Sequence, residues 1–194
     1  MDTLDRNKLS AEEERLLAPC GIYCGACDIF LGKSMRLAKE LHRIMDGFNI
    51  RDIAPFVMET EQEQISDFLA ILEQWGNGKQ CPGCIKGGGN PNCPIETCAQ
   101  EKGLYTCAEC DRMPCYQPCY QDKADKNDDL FSPESLLGLI TKRYSGWNIE
   151  NLKQIQKIGY RRFIDEMQAR VKDGFLTSDV ISREMVMTES MKTK

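Results

Sequence analysis

The residues of this sequence best suited to chemistry are its cysteines, which outnumber histidine eleven to one. They occur in closely spaced groups, at Cys20, Cys24, Cys27, Cys81, Cys84, Cys93, Cys98, Cys107, Cys110, Cys115 and Cys119. Cysteines two or three residues apart allow both thiolates to face one metal ion, as in tetrahedral zinc sites. Since the sequence has a single histidine, we expect such sites to consist almost entirely of sulfur.

A disulfide framework is the main alternative explanation for so many cysteines. The stretch Met1 to Leu9 lacks the apolar segment of a secretory signal, and the number of cysteines is odd. A chain of 194 residues is also long enough to form an ordinary hydrophobic core. We therefore predict a cytoplasmic protein with reduced cysteines. No stretch approaches the roughly 20 apolar residues of a membrane span, so no membrane partner is expected.

The charge of the chain argues against a nucleic-acid partner. The formal net charge is −5, whereas binding to phosphates requires concentrated lysine and arginine. The two short basic clusters, Lys142-Arg143 and Arg161-Arg162, are interpreted as solvated helix faces. We therefore predict no nucleic-acid partner and expect instead a protein partner, which the sequence does not identify.

Apolar residues at helical spacing predict a mainly α fold with little or no sheet. Helix starts are predicted at Ser10 with Glu13, at Thr60 with Glu63, and at Ser132 with Pro133. One amphipathic helix ending near Gly47 has the apolar residues Leu37, Leu41, Ile44 and Phe48. The next continues to Gly76 through Ile65, Phe68, Leu69, Leu72 and Trp75, and Trp75 is interpreted as a core residue.

The C-terminal third is also predicted to be helical. The period that begins at Leu152 and Ile155 continues through Tyr160 and predicts helical structure up to Gly174, followed by a short helix from about Ser178. Residues 123–129 are predicted to be a charged linker.

The segment from Cys81 to Cys119 differs from the helices because it is rich in proline and glycine. Such a segment cannot form a large apolar core, so bound metal is expected to supply its order. One short helix is predicted after Cys93, beginning at Pro94 and ending before Gly103. We predict a cysteine-rich metal-binding core flanked by amphipathic helices. Its domain spans residues 1–122, with a helical insert at 34–76, and a helical extension at 130–194 packs on it.

The spacing of the cysteines predicts which of them act together. The motif Cys81-Pro82-Gly83-Cys84 has the form of a metal knuckle, in which backbone amides stabilise the thiolates. A flexible loop of three glycines follows it, so one tetrahedral set is predicted to contain Cys81, Cys84, Cys93 and Cys98. A second site is predicted to combine Cys20, Cys24 and Cys27 with Cys107, Cys110 and Cys115. The spacing leaves open which of these sulfurs share a metal and whether a two-metal cluster forms.

In order and spacing, these motifs resemble the domain of unknown function 3795 family over about residues 18 to 120. The resemblance is carried by Leu17-Ala18-Pro19-Cys20-Gly21-Ile22-Tyr23-Cys24-Gly25-Ala26-Cys27, Cys81-Pro82-Gly83-Cys84, Cys93-Pro94-Ile95-Glu96-Thr97-Cys98, Lys102-Gly103-Leu104, Cys107-Ala108-Glu109-Cys110 and Met113-Pro114-Cys115. The family pattern implies metal ligation by Cys20, Cys24, Cys27, Cys81, Cys84, Cys93, Cys98, Cys107, Cys110 and Cys115. It leaves Cys119 as the candidate free thiol, and the family name states no activity.

Two classes of function remain open. The first is a binding or adaptor module stabilised by two or more structural zinc ions. The second is a redox or electron-transfer protein with an iron–sulfur cluster, and redox-active dithiols are a further possibility. No Ser-His-Asp, Cys-His or paired-carboxylate arrangement can be assembled from the sequence. An enzyme is therefore disfavoured, and no catalytic residue is predicted.

Overall fold

Regular structure in the described part of this protein is helical. The computed structural model describes residues 4–58, 60–90, 92–115 and 132–182. Within those ranges the only extended pairing is an isolated antiparallel bridge between Leu17 and Tyr23, which confirms the predicted mainly α class. The helices are α1 (Ala11–Glu14), α2 (Lys33–Gly47), α3 (Ile50–Val57), α4 (Gln62–Gly76), α5 (Pro94–Glu101), α6 (Pro133–Arg143), α7 (Trp147–Ile158) and α8 (Tyr160–Lys172). Short 3₁₀ turns occur at Arg6–Lys8, Cys24–Ala26, Cys84–Lys86, Cys107–Glu109 and Thr177–Val180.

The chain forms two compact units. The helical unit is Asp28–Cys81 and contains α2, α3 and α4. The cysteine-rich unit consists of Met1–Cys27 together with Pro82–Lys194, and it contains every cysteine except Cys81.

The core of the cysteine-rich unit lies between its N-terminal loop and the last two long helices. Leu152 and Ile155 of α7 are fully buried, as are Phe163, Ile164 and Met167 of α8. The ring of Tyr23 contacts that of Phe163 edge-to-face, with the centroids 6.2 Å apart. This packing fixes the loop that carries the first cysteines against α7 and α8.

Two of the three predicted helix starts are correct. Ser10 and Glu13 form a reciprocal capping box at α1, and the hydroxyl of Ser132 accepts a hydrogen bond from the amide of Ser135 at α6. The predicted box of Thr60 with Glu63 is wrong by one residue, because Glu61 is the N-cap of α4 and exchanges hydrogen bonds with Gln64. The Thr60 hydroxyl instead donates to the carbonyl of Met58 at 3.0 Å.

The predicted C-terminal helical segment is divided at Gly159. This residue has φ 80° and ψ 166°, which ends α7 and starts α8. The amide of Tyr160 then donates to Oδ1 of Asp5 at 2.8 Å, and a Cβ at Gly159 would lie 2.9 Å from the same oxygen. The break therefore lets the N-terminal segment cap α8.

Other local differences are smaller. The helix α3 was not predicted, and the short helix predicted from about Ser178 is a 3₁₀ turn at Thr177–Val180. The linker predicted at residues 123–129 lies outside the described residues.

Candidate metal centre

The loop that carries the first three cysteines is a tight turn on the surface of α7. The amide of Ala18 donates to the carbonyl of Ile22 at 2.9 Å, and the amide of Gly21 donates to the carbonyl of Ala18 at 2.9 Å. Cys20 lies at the tip of this turn, and Cys24 begins the 3₁₀ turn that follows. Both cysteines are buried, with exposed fractions of 6% and 7%.

Two asparagines of α7 hold this loop in place. The side-chain amide of Asn151 donates to the carbonyl of Gly21 at 2.9 Å, and that of Asn148 donates to the carbonyl of Cys20 at 3.1 Å. Gly21 has φ +92°, and a Cβ there would lie 2.3 Å from the carbonyl oxygen of Asn148. A glycine is therefore required where the loop approaches the helix.

The loop Cys107–Cys110 is joined to the first loop and to α7. The amide of Cys107 donates to the carbonyl of Pro19 at 2.8 Å. The side chain of Gln156 donates to the carbonyl of Ala108 at 2.9 Å. Since Pro19 precedes Cys20, this backbone contact brings two cysteine groups that are remote in sequence to the same place.

The loop around Cys84 is formed by glycines. Gly83, Gly87 and Gly89 have positive φ values, and the amide of Gly88 donates to the carbonyl of Gly83 at 2.9 Å. A Cβ at Gly89 would lie 3.4 Å from the Cys84 sulfur. The glycine-rich loop predicted from the sequence therefore folds back against this thiol.

The short helix predicted after Cys93 is confirmed as α5. Cys93 is its N-cap and Pro94 its first residue, while Ile95 and Ala99 are buried. Cys98 follows Cys93 by five residues, a rotation that leaves the two positions about 140° apart around a helix axis. The two cysteines therefore face different surroundings.

The first cluster, which we call the Cys84 group, consists of Cys20, Cys24, Cys84 and Cys93. The Cys24 thiol faces that of Cys84, and this interaction, followed by burial, raises the pKa of Cys24 well above its usual value. The same interaction lowers the pKa of Cys84. Burial raises the pKa of Cys20, with smaller increases from Cys84, Cys107 and Cys93. The influence of Cys107 shows that a second cluster lies close by.

That second cluster, the Cys107 group, consists of Cys98, Cys107, Cys110 and Cys115. All four line a cavity of about 30 Å³, together with apolar side chains that include Ile95 and Leu137. Burial raises the pKa of Cys107 to about 12, with further increases from Cys115, Cys110 and Cys98. The Lys102 ammonium interacts with Cys98 and Cys110, which raises the pKa of Lys102.

The described thiols have neighbours other than those predicted in two respects, while the ligand sets themselves stay predictions. Cys98 belongs with Cys107 and Cys110 rather than with Cys84, because α5 turns it away from Cys93. Cys20 and Cys24 belong with Cys84. The half-buried Cys27 lies near Tyr144, whose pKa is raised mainly by burial and slightly by Cys20 and Cys27.

Cys81, predicted with Cys84, is the last residue of the helical unit. Cys119 lies outside the described residues.

The donors present suit a soft metal ion. The ten described cysteines are free thiols, and each of the two groups offers four of them, the ligand number of structural zinc. In the described ranges, however, no three cysteine, histidine, aspartate or glutamate side chains already converge in metal-binding geometry. The backbone therefore gathers the thiols without closing a tetrahedral ligand set.

The comparison with known families agrees with this arrangement of motifs. The family model described as "Protein of unknown function (DUF3795)" matches residues 16–120, more than half of the chain. The chain belongs to this family. The predicted resemblance is thus confirmed, and the DUF3795 match includes every cysteine of both groups. No curated protein and no solved structure matches the chain significantly. Among the helices that the structure describes, none is both long and apolar enough to cross a membrane.

Sequence reasoning missed the polar side chains that support the cysteine loops. Asn148 and Gln156 lie on α7, where a polar residue is most simply read as solvent-facing, and their partners are more than 40 residues away in sequence. Lys102 lies within a segment that carries the family resemblance, which was the one available signal for it.

Proposed function

We propose that this protein is a metal-binding member of the DUF3795 family with two structural zinc sites and that it acts as a binding or adaptor module. One observation carries the proposal. Cys98, Cys107, Cys110 and Cys115 line one cavity, and Cys84 and Cys93 are close enough to Cys20 to raise its pKa. The hydrogen bond from the amide of Cys107 to the carbonyl of Pro19 joins the loops of these two groups. A protein that needs only buried cysteines has no physical reason to gather them in fours.

The ligands of the two sites follow from the grouping. Cys20, Cys24, Cys84 and Cys93 would hold one ion, and Cys98, Cys107, Cys110 and Cys115 the other. Zinc supplies a cross-link whose binding energy stabilises the fold. The chain supplies the remaining stabilisation, because Lys102 places a cation beside Cys98 and Cys110. Binding requires the thiols to lose their protons, so zinc and protons compete for Cys107, whose pKa is raised to about 12 by burial.

A structural role is favoured over a catalytic one by the donor count. Catalytic zinc usually has three protein ligands and an open position for water, whereas each of these groups offers four sulfurs. The single histidine, His42, belongs to the helical unit and not to the cysteine-rich unit. The cysteine-rich unit therefore offers no histidine to activate a water, and function is assigned to the surface of the protein.

The alternative outcome is an iron–sulfur protein with a redox function, because a set of four cysteine sulfurs is also the usual ligand set of iron–sulfur clusters.

Metal analysis of anaerobically purified protein tests this proposal. We expect a colourless protein with two equivalents of zinc per chain, and chelation should expose Cys107 and Cys84 to alkylation. The single variant Cys98→Ser should retain one equivalent, and the matched variant Cys119→Ser should retain two. Less than one equivalent of zinc plus iron in a reduced sample would overturn the proposal, and a brown protein with iron and labile sulfide would establish the alternative.

A further inference from the structure

The helix α5 carries one thiol of each cysteine group. Cys93, its N-cap, belongs to the Cys84 group, whereas Cys98 lies within the helix and lines the cavity of the Cys107 group. The two positions are about 7.5 Å apart along a helix axis. The helical backbone connects them directly, because the amide of Thr97 donates to the carbonyl of Cys93 at 3.1 Å. A movement of α5 therefore shifts a thiol of both groups.

A backbone hydrogen bond joins the two groups at a second place. The amide of Cys107 donates to the carbonyl of Pro19 at 2.8 Å, and Pro19 is bonded to Cys20. The hydrogen bond thus connects a member of the Cys107 group with the residue that precedes a member of the Cys84 group. The position of one loop therefore depends on that of the other.

The helix α5 depends on its surroundings for its order. It has eight residues, and isolated helices shorter than about 12 residues are marginal in water. Its buried residues Ile95 and Ala99 line the same cavity as the thiols of the Cys107 group, together with Leu137 of α6. The order of α5 is therefore linked to what the cysteines near its two ends bind.

Closure of either group around a metal ion involves this helix. Among the described residues, no three ligand side chains yet converge in metal-binding geometry. The loop with Cys20 is held by Asn148 and Asn151 of α7, so closure falls to the other elements that carry thiols, and α5 takes part in both closures. An ion bound in one group therefore removes conformational freedom that binding in the other group would otherwise have to remove.

We propose that the two cysteine groups load zinc as a pair, so that the first ion raises the affinity of the other group for the second ion. The inference rests on the two zinc sites proposed above and states how their loading is regulated. Coupling between two sites typically changes affinity about 5- to 150-fold, and it acts equally in both directions. The chain thus passes from the zinc-free to the two-zinc form over a narrow range of free zinc.

Native mass spectrometry of the reduced, full-length chain at buffered free zinc tests the pairing. At half saturation, two equal and independent sites leave roughly half of the chains with a single ion. A tenfold coupling lowers this share to about a quarter. We expect a quarter or less, with the remaining chains holding no ion or two. This titration uses the wild type, so it tests the pairing even where a variant fails to fold.

Two serine variants of the same short segment measure the coupling itself. Cys93→Ser removes a ligand of the Cys84 group, and Cys98→Ser removes one of the Cys107 group. Each should retain one ion but lose the help of the other site. The geometric mean of their half-loading concentrations of free zinc should exceed that of wild type by about threefold or more, the square root of a tenfold coupling.

Two controls should load like wild type. Cys119→Ser removes the candidate free thiol and leaves both groups intact. Trp75→Ala changes a residue of the helical unit, which contains neither group. Trp75 was predicted to be a core residue, but it is 53% exposed.

The outcomes separate this inference from the proposed function. A single ion on half of the wild-type chains or more would overturn the pairing and leave two zinc sites intact. Serine variants that load at the wild-type concentration of zinc would do the same. A reduced wild type that takes up less than one equivalent of zinc would overturn the proposed function, and this inference with it.

Discussion

The side-chain amide of Asn148 donates a hydrogen bond of 3.1 Å to the backbone carbonyl of Cys20. Asn148 is fully buried on α7, and the same amide lies 3.3 Å from the hydroxyl of Thr141 on α6. One side chain therefore connects two helices to the tip of the first cysteine loop. Since a buried carbonyl without a partner is costly, this contact fixes the position of Cys20 before any metal is bound.

The neighbouring residue Asn151 gives the clearest test of this support. We expect Asn151→Ala to lower the free energy of unfolding by about 1–3 kcal/mol, because the buried carbonyl of Gly21 loses its donor. Urea denaturation measures the change, and the exposed Lys153→Ala on the same helix should stay within about 0.5 kcal/mol of wild type. Equal effects of the two variants would show that the asparagine does not support the loop.

The grouping of the cysteines predicts how metal losses combine. Cys98→Ser and Cys110→Ser should each lose the same equivalent of zinc, and the double variant should lose no more, because both belong to the Cys107 group. Cys84→Ser combined with Cys98→Ser should lose both equivalents. Elemental analysis of the reduced proteins distinguishes these cases, with Cys119→Ser as the control. Loss of a single equivalent from the second pair would place Cys84 and Cys98 in one site.

The hydroxyl of Tyr160 supports the second cysteine loop from α8. It donates to Oε1 of Glu109 at 2.9 Å and lies 2.9 Å from the hydroxyl of Thr106, which caps the turn at Cys107. We expect Tyr160→Phe to lower the free energy of unfolding by about 1–2 kcal/mol. It should also release zinc from the Cys107 group at a lower chelator concentration, because the turn carries Cys107 and Cys110.

The control for this variant is Tyr105→Phe. The Tyr105 hydroxyl is similarly buried but donates to the carbonyl of Glu14 at 2.7 Å. It should therefore reduce overall stability without a selective effect on the Cys107 group. Selective zinc release by Tyr105→Phe and none by Tyr160→Phe would contradict the assignment.

Acid should weaken the N-terminal contact between Glu13 and Arg161. The pKa of Glu13 is lowered from its usual 4.5, first by the amide of Ser10 and then by the Arg161 guanidinium. The ionised carboxylate therefore stabilises the fold above pH 4.5, and this contribution is lost as the pH falls through the lower folded-state pKa.

Glu13→Gln should thus be less stable than wild type by about 1 kcal/mol at pH 7, and the difference should shrink towards pH 3. Thermal unfolding across this range measures it. The more exposed Glu12→Gln serves as the control, and a difference that does not vary with pH would exclude this role for Glu13.

Elements that depend on neighbouring residues could be predicted from the amino-acid sequence. Local features include the helix cap of Ser10 with Glu13, the start of α5 at Cys93-Pro94 and the apolar period of α2. Each depends on residues close in sequence, so it can be specified without contacts to distant segments. The order and spacing of the cysteines likewise identified the family. These are properties of short segments, in which backbone geometry is set by the residues themselves.

Contacts between distant segments determine which cysteines lie near one another and which apolar side chains are buried. Cys98 joins Cys107 because α5 rotates it away from Cys93, and Cys20 joins Cys84 because α7 and the Cys107 loop hold Pro19–Gly21 in place. The apolar residues Leu37, Leu41, Ile44 and Phe48 form an amphipathic pattern in sequence yet are 41–71% exposed, whereas the buried residue of α2 is Ala38. The spacing of the cysteines limits which thiols within one segment can lie together. Which thiol of another segment lies beside them depends on contacts between residues far apart in the chain.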